Sequence, residues 1–256
     1  MIEKQMGEFR PIPLGEINAS RLMNRLDTKY LFHAGQFEEL LKKASTHYRV
    51  LSIGDKRLFR YNSLYLDTPG LKMYLDHHNG IRPRYKIRFR EYEDTGAFFL
   101  EVKNKMARER TRKTRTEIRG IEELPSAESL EYIKKHYPYG IEDLGPSLWT
   151  LFRRITLVGT DLPERITLDM DLSFRHGENE KRLPFLGICE VKRDQLRAST
   201  PFMKILKDSH IYPASISKYC LGTLLLKQAV KYNRFKRSML AINKLENVYR
   251  SDPVAG

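Results

Sequence analysis

The sequence is poor in cysteine, has one tryptophan and lacks any long apolar run, and each scarcity narrows what the protein can be. Its two cysteines, Cys189 and Cys220, stand among apolar or aromatic neighbours with no metal-ligand spacing. That argues against a disulfide scaffold and reads as buried thiols in a reducing compartment. No stretch approaches the roughly 18 apolar residues of a membrane span. The N-terminus MIEKQMGEFR has no apolar run of the kind a signal peptide needs. The expectation is a soluble, intracellular chain. Acidic residues are also in deficit. The 32 Asp and Glu against 46 Lys and Arg leave a formal charge of +14. Such an excess favours a polyanion, whether nucleic acid, polyphosphate or an anionic membrane surface, without choosing among them.

What is present is strand language. Apolar and polar residues alternate over 27–32, 59–67, 85–92, 97–105, 111–119, 153–159, 165–176 and 186–193. Helical spacing is read over 16–26, 35–46, 126–137, 200–208 and 217–231, with a broken continuation to 240. A short helical crossing ends at Gly80. Residues 147–152 fit either a helix or the start of a strand. GENEKR reads as a turn at Gly177. The class is α+β, dominated by antiparallel sheet. Residues 1–15 read as a flexible arm, 16–232 as the main domain, and 233–256 as a basic extension with an unstructured tail.

The stretch YKIRFR puts Lys86, Arg88 and Arg90 on one face and Tyr85, Ile87 and Phe89 on the other. The pattern recurs. Lys29 shares a face with Asp27 and Arg25, Glu101 with Lys103, Lys113 with Arg115 and Glu117, Glu190 with Lys192. Arg165, Thr167, Asp169 and Asp171 form another such set. Helices can cover the apolar sides. The charged sides are then expected to line a closed or nearly closed sheet, which also removes edge strands. A wall of cations is costly when empty and favourable around a phosphate chain. Interspersed carboxylates suit a hard divalent ion, Mg²⁺ or Mn²⁺. FFLEVKNK and GICEVKRD each run into Glu-Val-Lys after a strand with alternating charge, a hint of two related halves.

These stretches carry a family likeness. RLDTKYLF (25–32), YNSLYLDTP (61–69), YKIRFREY (85–92), FFLEVKNK (98–105), RKTR (112–115), LFRRITL (151–157), ERITLDMDLSF (164–174), GICEVK (187–192) and PASISKYCLG (213–222) together resemble the VTC domain of polyphosphate polymerases. That domain is a branch of the CYTH-like triphosphate tunnel superfamily. The resemblance implies a closed tunnel of eight antiparallel strands with helices packed outside. It implies transfer of the ATP γ-phosphate onto a polyphosphate chain. The basic contacts carried over are Lys29, Arg88, Arg90, Lys103, Arg154, Arg165 and Lys218, with Lys86 beside them. Lys113 is the candidate in RKTR and Arg115 its fallback. Arg88, Arg90, Lys218 and Glu190 are the expected catalytic set. Glu190 is the expected metal ligand and Glu101 a second acid, though Glu190 could simply pair with Lys192 and Glu101 could orient an arginine. Arg154 over Arg153 depends on register. Within YKIRFR, Arg88 is expected deepest and Lys86 nearest an opening.

Two departures bear on activity. The hydrolase branch opens with Glu-x-Glu-x-Lys, where this chain has Arg25, Asp27 and Lys29, which argues for the polymerase branch. Polymerase-branch sequences can carry Lys-x-x-Lys where this chain has Ser215 and Lys218, which removes one cation. A polyphosphate-binding or sensing module and a metal-dependent triphosphatase therefore stand as alternatives. The expected partners are polyphosphate or triphosphate and a nucleotide, with no specific nucleic acid. A membrane-protein partner could hold the protein at the inner face of a membrane. His77–His78 reads as a surface turn rather than a metal site. Trp149 and the tyrosines read as packing, with base stacking at a tunnel mouth as the alternative.

Overall fold

The computed structural model describes residues 2–19, 25–106, 111–121, 125–194, 199–227 and 230–251. Its strands are β1 (Pro11–Pro13), β2 (Arg25–His33), β3 (Tyr48–Ser52), β4 (Phe59–Asp67), β5 (Arg84–Tyr92), β6 (Ala97–Lys105), β7 (Thr111–Ile118), β8 (Gly145–Gly159), β9 (Glu164–His176), β10 (Asn179–Leu183) and β11 (Leu186–Asp194). Its α-helices are α1 (Ile2–Gly7), α2 (Leu14–Ala19), α3 (Phe37–Ala44), α4 (Lys72–Asn79), α5 (Ala127–His136), α6 (Pro201–Asp208), α7 (Lys218–Leu226) and α8 (Lys236–Ser251).

Local chemistry sets the helix ends. Ser126 and Thr200 cap α5 and α6 by accepting from the amides of Ser129 and Met203, and Pro201 opens α6. Gly80, at φ 75°, ends α4 in the left-handed region. The alternation in the strands decides which side is covered. Ile87, Phe89, Leu100 and Val102 form a core with Ile133 of α5. On the other half, Leu168 and Val191 pack with Leu40 and Leu41 of α3 and with Phe202 and Leu206 of α6. Each such fully buried side chain contributes roughly 1.5–3 kcal/mol.

The expected closed eight-stranded tunnel, and with it the β-barrel, is corrected here. The main path of the sheet runs β2-β11-β9-β8-β4-β5-β6-β7, and among the described residues its ends β2 and β7 do not pair. The outer edge of β2 is taken by another segment: Tyr30 bridges Pro213, and the Ala214 amide donates to the Lys29 carbonyl at 2.8 Å. That occupies hydrogen-bonding positions closure would need. β7 is an edge strand lined with exposed charge, including Arg112, Lys113 and Arg115, a pattern that discourages further pairing.

Three strands escaped the sequence reading. β3 pairs with the end of β8 and with β1, which is three residues of Pro-Ile-Pro. β10, NEKRL, is mostly charged and pairs with β9 beyond the Gly177 turn. Residues 147–152 resolve as part of β8. Residues 2–13, read as an arm, carry α1 and β1 and bury Met6, Phe9 and Ile12. The tail read as unstructured includes the end of α8, whose Ile242 is buried.

The path has a two-part order. Outward from the β4–β8 junction run β4-β5-β6-β7 on one side and β8-β9-β11-β2 on the other. Glu101 on β6 and Glu190 on β11 are each on the third strand out, the positions of the repeated Glu-Val-Lys.

Candidate functional site

Cross-strand register places the candidate residues on one face. On one half, Lys86, Lys103 and Lys113 share a rung, and Arg88, Glu101 and Arg115 share the next. On the other, Lys29, Glu190 and Thr167 share a rung, flanked by Asp27-Lys192-Arg165 and by Asp169-Arg154. The two halves meet at the start of α7, where Lys29 Nζ donates to the Ile216 carbonyl at 3.0 Å and Lys86 Nζ to Ser217 Oγ at 2.7 Å.

Each carboxylate holds two cations. Glu101 is 1% exposed. Its Oε2 accepts from Arg88 Nε at 2.7 Å and lies 2.6 Å from Nη2, while Oε1 takes Lys113. Burial works against its charge, but Arg88, Arg90 and Lys113 outweigh it and hold the carboxyl well below the usual range. Asp169, also 1% exposed, accepts from Arg154 Nε at 2.5 Å and Nη2 at 2.8 Å and pairs with Lys218. Burial opposes its ionisation too, yet Arg154 and Lys218 bring it down to about 2. Glu190 lies 2.9 Å from Lys192 and 3.9 Å from Lys29. Its carboxyl stays well below the ordinary range despite burial, mainly through those two lysines.

Arg90 differs, and it rather than Arg88, expected deepest, is the more buried arginine of β5. It is 7% exposed, donates to Ser63 Oγ at 3.1 Å, and among the described residues forms no salt bridge. Burial and then the Arg88 charge lower its pKa. Arg88 also donates to Tyr65 Oη at 2.8 Å. Lys86 was expected near an opening. Its ammonium instead donates to Ser217 Oγ at 2.7 Å, at the start of α7, and desolvation lowers its pKa. Arg165 donates to the Ile17 carbonyl at 2.7 Å.

α7 is fitted over part of this face. Lys29 Nζ donates to the Ile216 carbonyl at 3.0 Å, just before the Ser217 cap. Gly222 permits the close approach: a Cβ there would stand 2.5 Å from Phe174 and 2.6 Å from Leu148. Tyr219 stacks on Tyr65 at 5.0 Å.

The register question at 153/154 resolves with a bulge. The β8–β9 pairing shifts between Leu151 and Arg153, and Asp171 takes a φ of 51°. Arg154 keeps the charged face with Asp169, while Arg153 pairs with the exposed Asp171. Asp169 and Asp171, expected side by side, are thereby separated. Lys113 and Arg115 both stand on the charged face, the first on Glu101 and the second over the Phe99 ring at 4.6 Å. His77–His78 is not a surface turn. His77 Nδ1 lies 3.1 Å from Cys220 Sγ, and His78 is buried and packs on Phe235.

The β4 contribution went unread in the sequence. Tyr61, Ser63 and Tyr65 alternate inward in FRYNSLYLD and meet Arg154, Arg90 and Arg88. Their alternation was visible, but no cation stands at the inward positions of the strand, whose charges Arg60 and Asp67 lie near its ends. Arg25 lies in β2, but its side chain is outside the described set.

Among the described residues no group of three His, Cys, Asp or Glu could hold a metal ion. A hard cation could still be met by Glu190. Directly across the ladder Thr167 Oγ1 is buried without a hydrogen-bond partner among the described residues, so polar capacity remains at this rung. With one carboxylate from the chain, the other ligands would be phosphate oxygens and water, the usual habit of Mg²⁺.

The VTC domain family profile matches residues 24–227. Among solved structures, a candidate adenylate cyclase from Bacillus halodurans aligns with a TM-score of 0.52 at 16% identity, over 76% of this chain and 94% of that one. A candidate adenylyl cyclase from Hippeastrum, described as having a dominant triphosphatase activity, aligns at 0.46 and 14% identity, over 81% and 98%. At such identities the likeness concerns the fold alone. No curated protein matches by sequence.

Proposed function

This chain belongs to the VTC-domain family, within the CYTH-like triphosphate tunnel superfamily, and from that premise we propose that it binds the triphosphate end of a nucleotide or of inorganic polyphosphate and cleaves or transfers the terminal phosphoryl group. One observation carries this: arginines and lysines of β2, β5, β6, β7 and β8, joined by Lys218 of α7, share one charged face, with carboxylates that each hold two cations and so orient them without neutralising them. Phosphoryl transfer asks for this, because positioning and charge stabilisation do most of the work.

Hydrolysis is the reading we favour. A water oxygen bonds to the terminal phosphorus as the bridging P–O bond breaks. The water's protons pass to solvent or phosphate oxygen. ADP or a shortened polyphosphate leaves with inorganic phosphate. Arg88 and Arg90 offset charge on the transferring group. Arg154, held by Asp169, and Lys218 fix the adjoining phosphates. Mg²⁺ or Mn²⁺ held by Glu190 would supply charge neutralisation between phosphates. Ser215, standing where polymerase-branch sequences can carry lysine, argues against efficient chain growth.

The second reading is chain growth, in which a polyphosphate end replaces water and ADP leaves. The VTC match and Arg25 favour it. A membrane partner that takes up product would belong to this reading. Among the described residues no helix is long and apolar enough to cross a membrane.

Purified protein incubated with ATP or tripolyphosphate and Mn²⁺ or Mg²⁺, with product sizing on gels, separates the readings. Released phosphate alone supports hydrolysis. A ladder supports synthesis. Binding without turnover leaves a polyphosphate-binding module.

A further inference from the structure

A row of aromatic rings crosses the charged face. Phe152 and Tyr61 stack at 5.2 Å and 9°. Tyr92 meets Tyr61 edge-on at 5.0 Å, and Phe99 meets Tyr92 at 5.6 Å and 88°. Register puts all four on the face of Arg90. Exposure changes along the row: Phe152 and Tyr61 are buried, while Tyr92 and Phe99 are half-buried.

Cations cover the buried part. Lys218 and Arg154 stand 4.4 and 5.2 Å from the Phe152 centroid, and Arg154 and Arg90 stand 5.1 and 5.5 Å from that of Tyr61. Arg115 lies over Phe99 at 4.6 Å. Among the described residues no cation stands over Tyr92. The buried rings therefore help hold phosphate-facing cations through their π faces. Tyr92 does not share that task, yet it keeps solvent contact beside the most buried arginine of the face.

We propose that Tyr92, flanked by Phe99 and Arg115, is a stacking platform for the base of a nucleoside triphosphate whose phosphates run along β5 past Arg90 to Arg88. This rests on the phosphate-binding reading above and deepens it, naming a nucleotide rather than bare triphosphate as the preferred ligand. Two residues of strand, roughly 7 Å, separate Tyr92 from Arg90, and the same step leads on to Arg88. Ribose and α-phosphate would bridge the first interval, leaving the terminal phosphates against the arginines. Aromatic and guanidinium planes accept any base, so the platform favours nucleotides over inorganic chains without strong choice among bases.

Calorimetric titration of ATP and of tripolyphosphate into wild type, Tyr92→Ala, Tyr92→Phe and Phe99→Leu tests this, with melting curves confirming that each variant is folded. ATP is expected to lose about tenfold more affinity than tripolyphosphate in Tyr92→Ala, and Tyr92→Phe should keep the wild-type ratio. Phe99→Leu, which keeps apolar bulk but loses the π face, should lower the ratio in the same direction. Equal losses for both ligands in Tyr92→Ala would mean the ring only supports the arginines, and would overturn the platform while leaving phosphate binding intact. If wild type binds neither ligand, the phosphate-binding reading falls and the platform falls with it.

Discussion

Arg88 and Glu101 face each other across the β5–β6 ladder, with Arg88 Nε and Nη2 at 2.7 and 2.6 Å from one carboxylate oxygen. The other oxygen is spent on Lys113. The carboxylate thus orients two cations at once, and Arg88 keeps Nη1 for Tyr65. Replacing Glu101 with alanine should destabilise the protein by about 3 kcal/mol, because it leaves a largely buried guanidinium without its partner. Denaturant melts should show tripolyphosphate restoring part of that loss, since its oxygens can serve both cations. No recovery would remove phosphate from this rung.

Arg90 should behave in the opposite sense. It is buried with only Ser63 as its hydrogen-bond partner among the described residues, so the protein without ligand bears its charge at a cost. Arg90→Met is expected to match or exceed wild type in melting temperature, yet to lose most of the thermal stabilisation that tripolyphosphate confers. A variant less stable than wild type but equally stabilised by ligand would contradict this assignment.

Affinity for phosphate chains should fall as pH rises from 7 to 9. Desolvation, deepened by Lys29 and Lys86, brings Lys103 down to about 8. Desolvation also brings Lys113 to about 8, against the opposing pull of Glu101. With folded values below the unfolded lysine value, the unfolded chain holds more protons between them. Stability without ligand should therefore rise with pH through that window, while ligand binding, which prefers charged lysines, weakens. Titrations of tripolyphosphate at several pH values check the second trend, and Lys103→Met should flatten it.

Tyr65 should ionise early. Burial alone would raise its pKa, but Arg88, Arg90 and Lys86 bring it down to about 8. Ultraviolet difference titration should detect a tyrosinate near that pH, missing in Tyr65→Phe. Bound tripolyphosphate should move the transition upward by adding negative charge nearby. A transition indifferent to the ligand would place the phosphates elsewhere.

Glu190→Gln should remove most metal-dependent turnover while metal-free polyphosphate binding persists. The amide keeps the shape of the side chain but offers a divalent ion far less charge. Unchanged turnover would relocate the metal role to Glu101 or Asp169.

The alternation of charge and apolar residues determined most of the long strands and the two faces of each, though not the short β1, β3 and β10. It did so because a strand's period of two is written directly into side-chain order, and the core must take the apolar set. That is why YKIRFR, FFLEVK, GICEVK and ERITLDMD each show their charged side, with Arg88 and Arg90, Lys103, Glu190 and Arg165 on it, whereas the cross-strand register decides that these sides share one face. Only the tertiary structure decided whether the sheet closes, because closure depends on which segment occupies the β2 edge, and Pro213–Ala214 reaches it from far along the chain. The same holds for Lys86, whose partner Ser217 lies on α7, and for Asp171, which a bulge turns away from Asp169. Local pattern carries the period of an element. It carries neither a register shift nor a contact that depends on how distant segments pack.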